Sequence, residues 1–219
     1  GPDGVVAVTA VAQVSSTIYE VVFPEQSAIG RYSFVVGPEI LDVAGNEMDQ
    51  DLDGVSGESY SDAYSDFFAI DLSVDFGPAD SPVASGYVQG VPFLDYEVER
   101  GYGFSGIVGG VLSTDFGFGT DVTRDVVYLK YGSFLVDVPS GEYEVTVTLG
   151  DIGNYYRDEM GIFLEGTLVD TVSTELGELK TLTYSVSVSD GQLTAFFDDL
   201  GGDNPWVGIE ELRVHRVGA

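Results

Sequence analysis

The sequence contains no cysteine, one histidine and few basic residues. Without cysteine, disulfide frameworks, thiol nucleophiles and thiolate metal sites are excluded. Any Ser-His-Asp arrangement would have to use His215, whose position shares the alternation of Arg213, opposite Leu212 and Val214, and therefore predicts an outward surface side chain. The zinc-protease, nucleophile-elbow and phosphate-loop motifs are also missing. We therefore expect a protein that is not an enzyme, although abundant acids make any carboxylate pair uninformative about glycoside hydrolysis.

The chain is strongly acidic: it has 37 acidic and 8 basic side chains, and its formal net charge is −29. Such a surface repels nucleic acid and anionic lipid, so we expect neither as a partner. No apolar run approaches the length of about 18 residues that a membrane helix needs, so we expect no membrane insertion. The Gly-Pro start is typical of a protease cleavage site and predicts a piece of a larger parent protein with neighbouring domains.

Alternating hydrophobic patterns predict strands along nearly the whole chain. In EYEVTVTLGD, the apolar residues from Tyr143 to Leu149 share one face and polar residues share the other. Similar runs flank Asp190-Gly191, a dipeptide typical of a tight hairpin turn, and 29 glycines and 8 prolines separate short strands. The pattern predicts an all-β fold, a sandwich or a jelly roll.

Composition divides the chain near residue 74 and predicts two domains, 1–73 and 74–219. Arg31 is the single basic residue of the first part. Strands predicted at about 5–14, 17–23, 31–36 and 67–72 amount to roughly half of an immunoglobulin-like β-sandwich, a core that is difficult to bury alone.

An acidic loop in the first part predicts a calcium site. Asp49, Asp51 and Asp53 alternate before Gly54, and Glu58 follows, so their oxygens could converge on Ca²⁺. The alternative is a solvated loop whose aspartates bind their own backbone in Asx-turns. The run GRYSFVVGPEILDVAGNEMDQDLDGVSGESYSDAYSDFFAI resembles the closing half of a bacterial immunoglobulin-like module of large exported proteins. That resemblance implies a calcium-stabilised spacer.

Residues 74–217 resemble a jelly-roll (galactose-binding or malectin-like) carbohydrate-binding module of the type found beside pectin-active esterases and lyases. The resemblance is carried by DFGPADSPVASGY, GYGF, TRD, FLVDVPSGEYEVTVTLGD, SDGQLTAFF and GDNPWVGIEEL, in this order. It implies a secreted or cell-surface location and a polysaccharide or oligosaccharide ligand. It also implies ligand contacts from Tyr102, from the pair Tyr155 and Tyr156, and from Asp203.

The residue types support a sugar site independently, because aromatic rings stack on sugar C–H faces while polar side chains pair with hydroxyls. Loops of a jelly roll can converge at one end, and three of them carry such residues. The candidate ligand-binding residues are Tyr102, Phe104, Tyr155, Tyr156, Arg157, Asp203, Asn204 and Trp206. The alternatives are that Tyr102, Phe104 and Trp206 pack in the interior and that Asp203 only forms a turn.

The alternation also changes phase in the last predicted strand, which indicates a β-bulge at Glu210-Glu211. Together these features predict a non-catalytic polysaccharide-binding module that holds glycan near a catalytic partner domain. The alternative is a calcium-stabilised structural or adhesive module of a cell-surface protein without a sugar site.

Overall fold

The computed structural model describes residues 1, 4–15, 17–26 and 30–217, with side chains at all of these except 30, 69–70 and 109–111. The fourteen strands are β1 (Ala10–Gln13), β2 (Tyr19–Val22), β3 (Gly30–Val36), β4 (Tyr64–Ile70), β5 (Leu72–Phe76), β6 (Val88–Gly90), β7 (Tyr102–Asp115), β8 (Asp125–Asp137), β9 (Gly141–Gly150), β10 (Arg157–Leu164), β11 (Thr167–Thr174), β12 (Leu179–Val188), β13 (Gln192–Asp199) and β14 (Val207–Arg216). Across the described residues no helix is long and apolar enough to cross a membrane. The predicted all-β fold is confirmed.

Strands β5 to β14 form a jelly roll of two layers. In the first layer β11, β10, β13, β8 and β7 pair in that order, and in the second β12, β9, β14, β5 and β6 do so. Every second side chain of these strands points between the layers, so the alternation in the sequence fills the core. Fully buried members include Leu129, Phe134, Val147, Phe197 and Leu212.

Strand β14 joins the two layers. Its first residues, Val207 to Ile209, pair with β8, and the residues that follow pair with β9 and β5. The change of layer falls at Glu210, which has no partner on β9 because the register jumps from Ile209 to Glu211. The bulge predicted from the sequence is confirmed, and it turns the strand from one layer to the other.

The turn at Asp190-Gly191 corrects one expectation. The chain does reverse there, with Gly191 at φ 88°, but β12 pairs with β9 and β13 pairs with β8 and β10. The two strands therefore face each other across the core rather than forming a hairpin. Turn residues predict a reversal of direction and do not specify whether the flanking strands hydrogen-bond or pack face to face.

The first segment forms two separate two-stranded sheets, β1 with β2 and β3 with β4. All eight residues of β1 and β2 are exposed, so this hairpin buries no core of its own. The likeness to an immunoglobulin-like module is not confirmed by this arrangement. The segment contacts the jelly roll through Arg31, whose Nη1 donates to Oδ2 of Asp137 at 2.9 Å and whose guanidinium carbon lies 4.1 Å from the Phe67 ring centre.

Asp137 is the anchor of this contact because it is buried and accepts several hydrogen bonds. Besides Arg31, the hydroxyl of Tyr96 donates to it at 2.9 Å and Nε2 of Gln192 donates at 2.9 Å. Asp137 is the last residue of β8, so the first segment meets the jelly roll at the end where β8 finishes.

Candidate functional site

Four loops lie together at the opposite end of the jelly roll, where β8 begins. The antiparallel registers bring the end of β7, the end of β9 and the start of β10, the end of β11 and the start of β12, and the end of β13 and the start of β14 to this side. We call it the loop end, and its loops are residues 116–124, 151–156, 175–178 and 200–206.

A buried polar network forms the floor of the loop end. Arg157 is 4% exposed, and its Nη2 lies 2.5 Å from Oδ2 of Asp151, which is 0% exposed. Tyr128 donates its hydroxyl to the same Oδ2 at 2.7 Å, and its ring centre lies 4.4 Å from the guanidinium carbon of Arg157. Burial, and then the bond to Asp151, raises the pKa of the Tyr128 hydroxyl, so it stays a hydrogen-bond donor.

This network fixes the loop before the last strand. Nη1 of Arg157 donates to Oδ1 of Asn204 at 2.9 Å, and Nδ2 of Asn204 donates to the Tyr156 carbonyl at 2.8 Å. The carboxylate of Asp158 accepts the backbone N–H groups of Asp203 at 2.8 Å and of Asn204 at 3.0 Å. Both loops are therefore held to each other by the side chains of Arg157, Asn204 and Asp158.

Several aromatic side chains next to this network are exposed to solvent. Tyr155 is 62% exposed and Tyr156 is 44% exposed, and the guanidinium carbon of Arg157 lies 5.5 Å from the Tyr155 ring centre. Trp206 is half-buried, with the Lys130 ammonium 5.9 Å from its ring centre. The neighbouring polar group of Asp203 is exposed.

The structure adds two aromatic residues that the sequence prediction missed. Phe118 is 58% exposed, and Phe116 packs 6.0 Å from it, ring centre to ring centre. A Cβ placed on Gly153 would lie 2.4 Å from Cε1 of Phe116, so this ring fits against the 151–156 loop only because residue 153 is glycine. Their signal was present in DFGFG, where two aromatics alternate with glycine between strands.

Two predicted residues do not belong to the loop end. Phe104 is 2% exposed and packs in the core, 5.0 Å from the Phe134 ring centre, so it cannot contact a ligand. Tyr102 begins β7 and pairs with Val136, eight residues along β8 from Tyr128 and thus about 26 Å away. Both predictions are wrong for a shared site, because alternation shows which face a residue takes and not which end it reaches.

The predicted roles of Arg157 and Asn204 also change. Arg157 is buried and both of its Nη atoms are paired, and Asn204 uses both ends of its amide within the protein. These two position the loops, while Tyr155, Tyr156, Asp203 and Trp206 remain the predicted residues with surface open to a ligand.

The acidic loop brings carboxylates together in two groups. The carboxylate oxygens of Asp49, Asp51 and Asp62 lie within 4.8 Å of one another, and those of Asp51, Asp53 and Glu58 do so as well. All the donors are oxygens, which Ca²⁺ prefers, and Oδ1 of Asp49 is enclosed without a hydrogen-bond partner among the described residues. These residues could hold a calcium ion.

Asp62 was missed in the sequence because it lies beyond the alternating run. It is 0% exposed and accepts the backbone N–H groups of Gln50 at 2.8 Å and Glu58 at 2.9 Å, and the latter bond lowers its pKa. The loop also contains the predicted Asx-type bonds, such as Val55 N–H to Oδ1 of Asp53 at 2.7 Å. Both interpretations of the loop are therefore represented in its geometry.

Comparison with known proteins identifies the jelly roll. Residues 72–200 match the family model of the beta-agarase/YxiM esterase-like, galactose-binding domain-like proteins. Beta-agarase A of Zobellia galactanivorans is 27% identical over 99 residues, which are 44% of this chain and 18% of the agarase. The chain therefore spans less than a fifth of that relative.

Solved structures with the same fold include protein YxiM of Bacillus subtilis, with a TM-score of 0.53 and 24% identity over 68% of this chain and 40% of that one. A calcium-binding mutant of beta-glucuronidase 2 from Bacteroides uniformis has a TM-score of 0.51 and 13% identity over 74% of this chain and 22% of the other. The family match covers more than half of the sequence and spans the jelly roll from β5 to β13. The chain belongs to the beta-agarase/YxiM esterase-like, galactose-binding domain-like family.

Proposed function

We propose that the loop end binds carbohydrate and that the protein is a non-catalytic glycan-binding module of a secreted or cell-surface protein. One observation carries the proposal: Tyr155 and Tyr156 are exposed beside a buried Arg157 network, in a domain of the galactose-binding-like family. Exposed rings on a rigid polar support are what sugar recognition requires.

The network acts by arranging the binding surface in advance. Arg157 binds Asp151 through Nη2 and Asn204 through Nη1. The loops are therefore already ordered before a ligand binds, which reduces the entropy lost on binding. The rings of Tyr155 and Tyr156 offer apolar faces to sugar C–H groups, and Asp203 offers an acceptor to hydroxyls. Because hydroxyls are well solvated and the surface is open, we expect dissociation constants of about 10⁻⁵ to 10⁻³ M.

The name of the agarase relative suggests the first ligands to test, which are agaro-oligosaccharides. The chain covers a minor part of the relatives it matches, and we propose that neighbouring domains of the parent protein supply catalysis. The module would then keep the polymer close to such a domain.

Calorimetric titration with agaro-oligosaccharides tests the loop end, with galactan, pectin and cellulose fragments as the comparison panel. Tyr155→Ala and Tyr156→Ala should each weaken binding about tenfold, since a stacked ring contributes on the order of 1 kcal/mol. Tyr60→Ala is the matched control, because this tyrosine is 98% exposed and belongs to the acidic loop. Unchanged affinity in both loop-end variants, or no binding to any glycan, would refute the proposal.

We also propose that the acidic loop binds calcium for stability, which is the feature that favours the alternative function as a structural or adhesive module. EDTA should lower the melting temperature of the protein, and Asp51→Asn should remove that effect because Asp51 belongs to both oxygen groups. Glu39→Gln, an exposed change outside both groups, is the control. A melting temperature indifferent to both EDTA and calcium would exclude the site.

A further inference from the structure

The outer face of the first layer carries a continuous row of apolar side chains that the loop end does not include. We call it the apolar track. It crosses β7, β8, β13, β10 and β11 in order, and its members are Val108, Tyr131, Phe196, Phe163 and Leu168. Leu200, which belongs to the loop end, lies near Phe163.

The alternation on β13 and β10 shows that the two central rings of the track face away from the core. On β13, Ala195 and Phe197 are buried at 0% exposure, so Phe196 between them takes the other face. On β10, Ile162 and Leu164 are buried and Phe163 between them is half-buried. The track is thus exposed by the same pleat that fills the interior.

The exposed apolar side chains of the track are neighbours on adjacent strands, which distinguishes them from apolar residues scattered singly over a surface. Tyr131, Val108, Leu168 and Leu200 are 39% to 47% exposed. Crossing five strands with a spacing of about 4.8 Å gives the track a length of about 19 Å. Contiguous apolar strips of this kind on a soluble protein mark binding surfaces.

The rings of the track are inclined to one another. Phe163 and Phe196 lie 5.4 Å apart with an angle of 59° between their planes, and Tyr131 and Phe196 lie 6.4 Å apart at 60°. A flat crystalline surface would require coplanar rings. Inclined rings suit a single chain whose successive units turn about its axis.

Two neighbouring residues link the track to the loop end. Lys130 precedes Tyr131 on β8, and its ammonium lies over the Trp206 ring of the 200–206 loop. Leu200, the first residue of that loop, and Phe163 both lie beside Gly161, where an added Cβ would be 2.9 Å from Leu200 and 3.1 Å from Phe163. The N–H of Leu200 donates to the Glu159 carbonyl at 3.0 Å. One ligand could therefore contact both surfaces.

The charge beside the track disfavours an anionic occupant. Asp198 and Asp199 lie next to Phe196, and Glu159 and Glu165 lie at the two ends of β10, against the single ammonium of Lys130. Burial, and then the charge of Asp199, raises the pKa of Asp198, so negative charge is already disfavoured at this position. A negatively charged polymer would add repulsion to that cost.

We propose that the apolar track is a second part of the glycan site, and that it binds the internal units of a single uncharged polysaccharide chain whose adjoining units occupy the loop end. The inference rests on the proposed function and extends it from a short sugar to an extended polymer. Because successive sugar units of such a polysaccharide turn about its axis, their apolar faces would contact the rings of Phe163, Phe196 and Tyr131 one after another.

The experiment compares agaro-tetrasaccharide with agaro-dodecasaccharide by calorimetry. A longer chain can bind in more than one position and therefore has a somewhat higher affinity without any second surface. The quantity compared is therefore the ratio of dodecasaccharide affinity to tetrasaccharide affinity in each variant. Tyr131→Ala should reduce dodecasaccharide affinity about tenfold and Val108→Ser should reduce it by a smaller factor, and both should leave tetrasaccharide affinity unchanged. Both side chains are substantially exposed, and Tyr60→Ala again serves as the control. Tyr156→Ala should weaken both ligands.

The outcomes separate the two proposals. Dodecasaccharide binding that is sensitive to Tyr131→Ala but not to Tyr156→Ala would refute the loop end and keep the track. Sensitivity to Tyr156→Ala alone would refute the track. Tighter binding of an oligogalacturonide of equal length would overturn the uncharged-ligand assignment. Sedimentation velocity provides a further test, because self-association that Tyr131→Ala abolishes would show that the face joins two copies and would also overturn the track.

Discussion

Glu210 should make the folded state less stable as pH rises. The bulge in β14 places this carboxyl at 0% exposure, and neither of its oxygens has a hydrogen-bond partner among the described residues. Burial, reinforced by the charges of Asp151, Asp125 and Asp75, raises its pKa from 4.5 to about 9. The folded protein therefore keeps a proton on Glu210 that the unfolded chain releases.

The magnitude follows from proton linkage. Between the unfolded and folded pKa values the native state binds one more proton, so stability falls by about 1.4 kcal/mol for each pH unit gained. From pH 5.5 to 8.5 the loss is about 4 kcal/mol. The Glu210→Gln variant cannot titrate and should not show this component, although other acids will contribute equally to both proteins.

Urea unfolding at several pH values in EDTA measures the effect, with fluorescence of Trp206, the single tryptophan, as the probe. The quantity compared is the slope of unfolding free energy against pH, because the buried amide of the glutamine changes the intercept at every pH alike. Glu142→Gln, an exposed change on the neighbouring β9, should retain the wild-type slope. Parallel slopes for wild type and Glu210→Gln would refute the reasoning.

Three further changes test other contacts. Asp151→Asn should lower the unfolding free energy by about 3 kcal/mol in urea titrations, because it leaves the buried guanidinium of Arg157 without its charge partner. Arg31→Met should speed proteolysis of the first segment while the jelly roll resists, since it removes the bond to Asp137; equal cleavage rates would contradict this role. The neighbouring aspartate raises the pKa of His215, so the stability from this pair is complete below about pH 6.5 and is lost as pH rises through the folded pKa. His215→Gln should abolish that pH dependence in melting curves.

Much of the fold follows from the residue pattern. Alternation in β9, β12 and β13 predicts the strands, and the phase change at Glu210 predicts the bulge. The pairing of these strands was not predictable, because a turn such as Asp190-Gly191 looks the same in a hairpin and in an arch between layers. Long-range registers depend on which faces meet in the core, and a single alternating strand does not encode its partner.

The candidate site could be predicted only in part, because loop motifs can be read from the sequence and the position of a strand residue in the fold cannot. Loop motifs identified Tyr155, Tyr156 and Asp203, whose exposure follows from their turn context. They did not separate Phe104, which the strand pleat turns inward, or Tyr102, which lies at the other end of the sandwich. The apolar track could not be predicted from the sequence, because its residues come from five strands that become neighbours only in the folded topology.

The entry and exit strands of the jelly roll finish side by side, away from the four loops. Val214 of β14 pairs with Leu72 of β5, and Nδ1 of His215 lies 2.5 Å from Oδ2 of Asp71 just before it. These contacts hold the start and the end of the jelly roll together at one end, so the loops at the other end can change in length and composition without disturbing them.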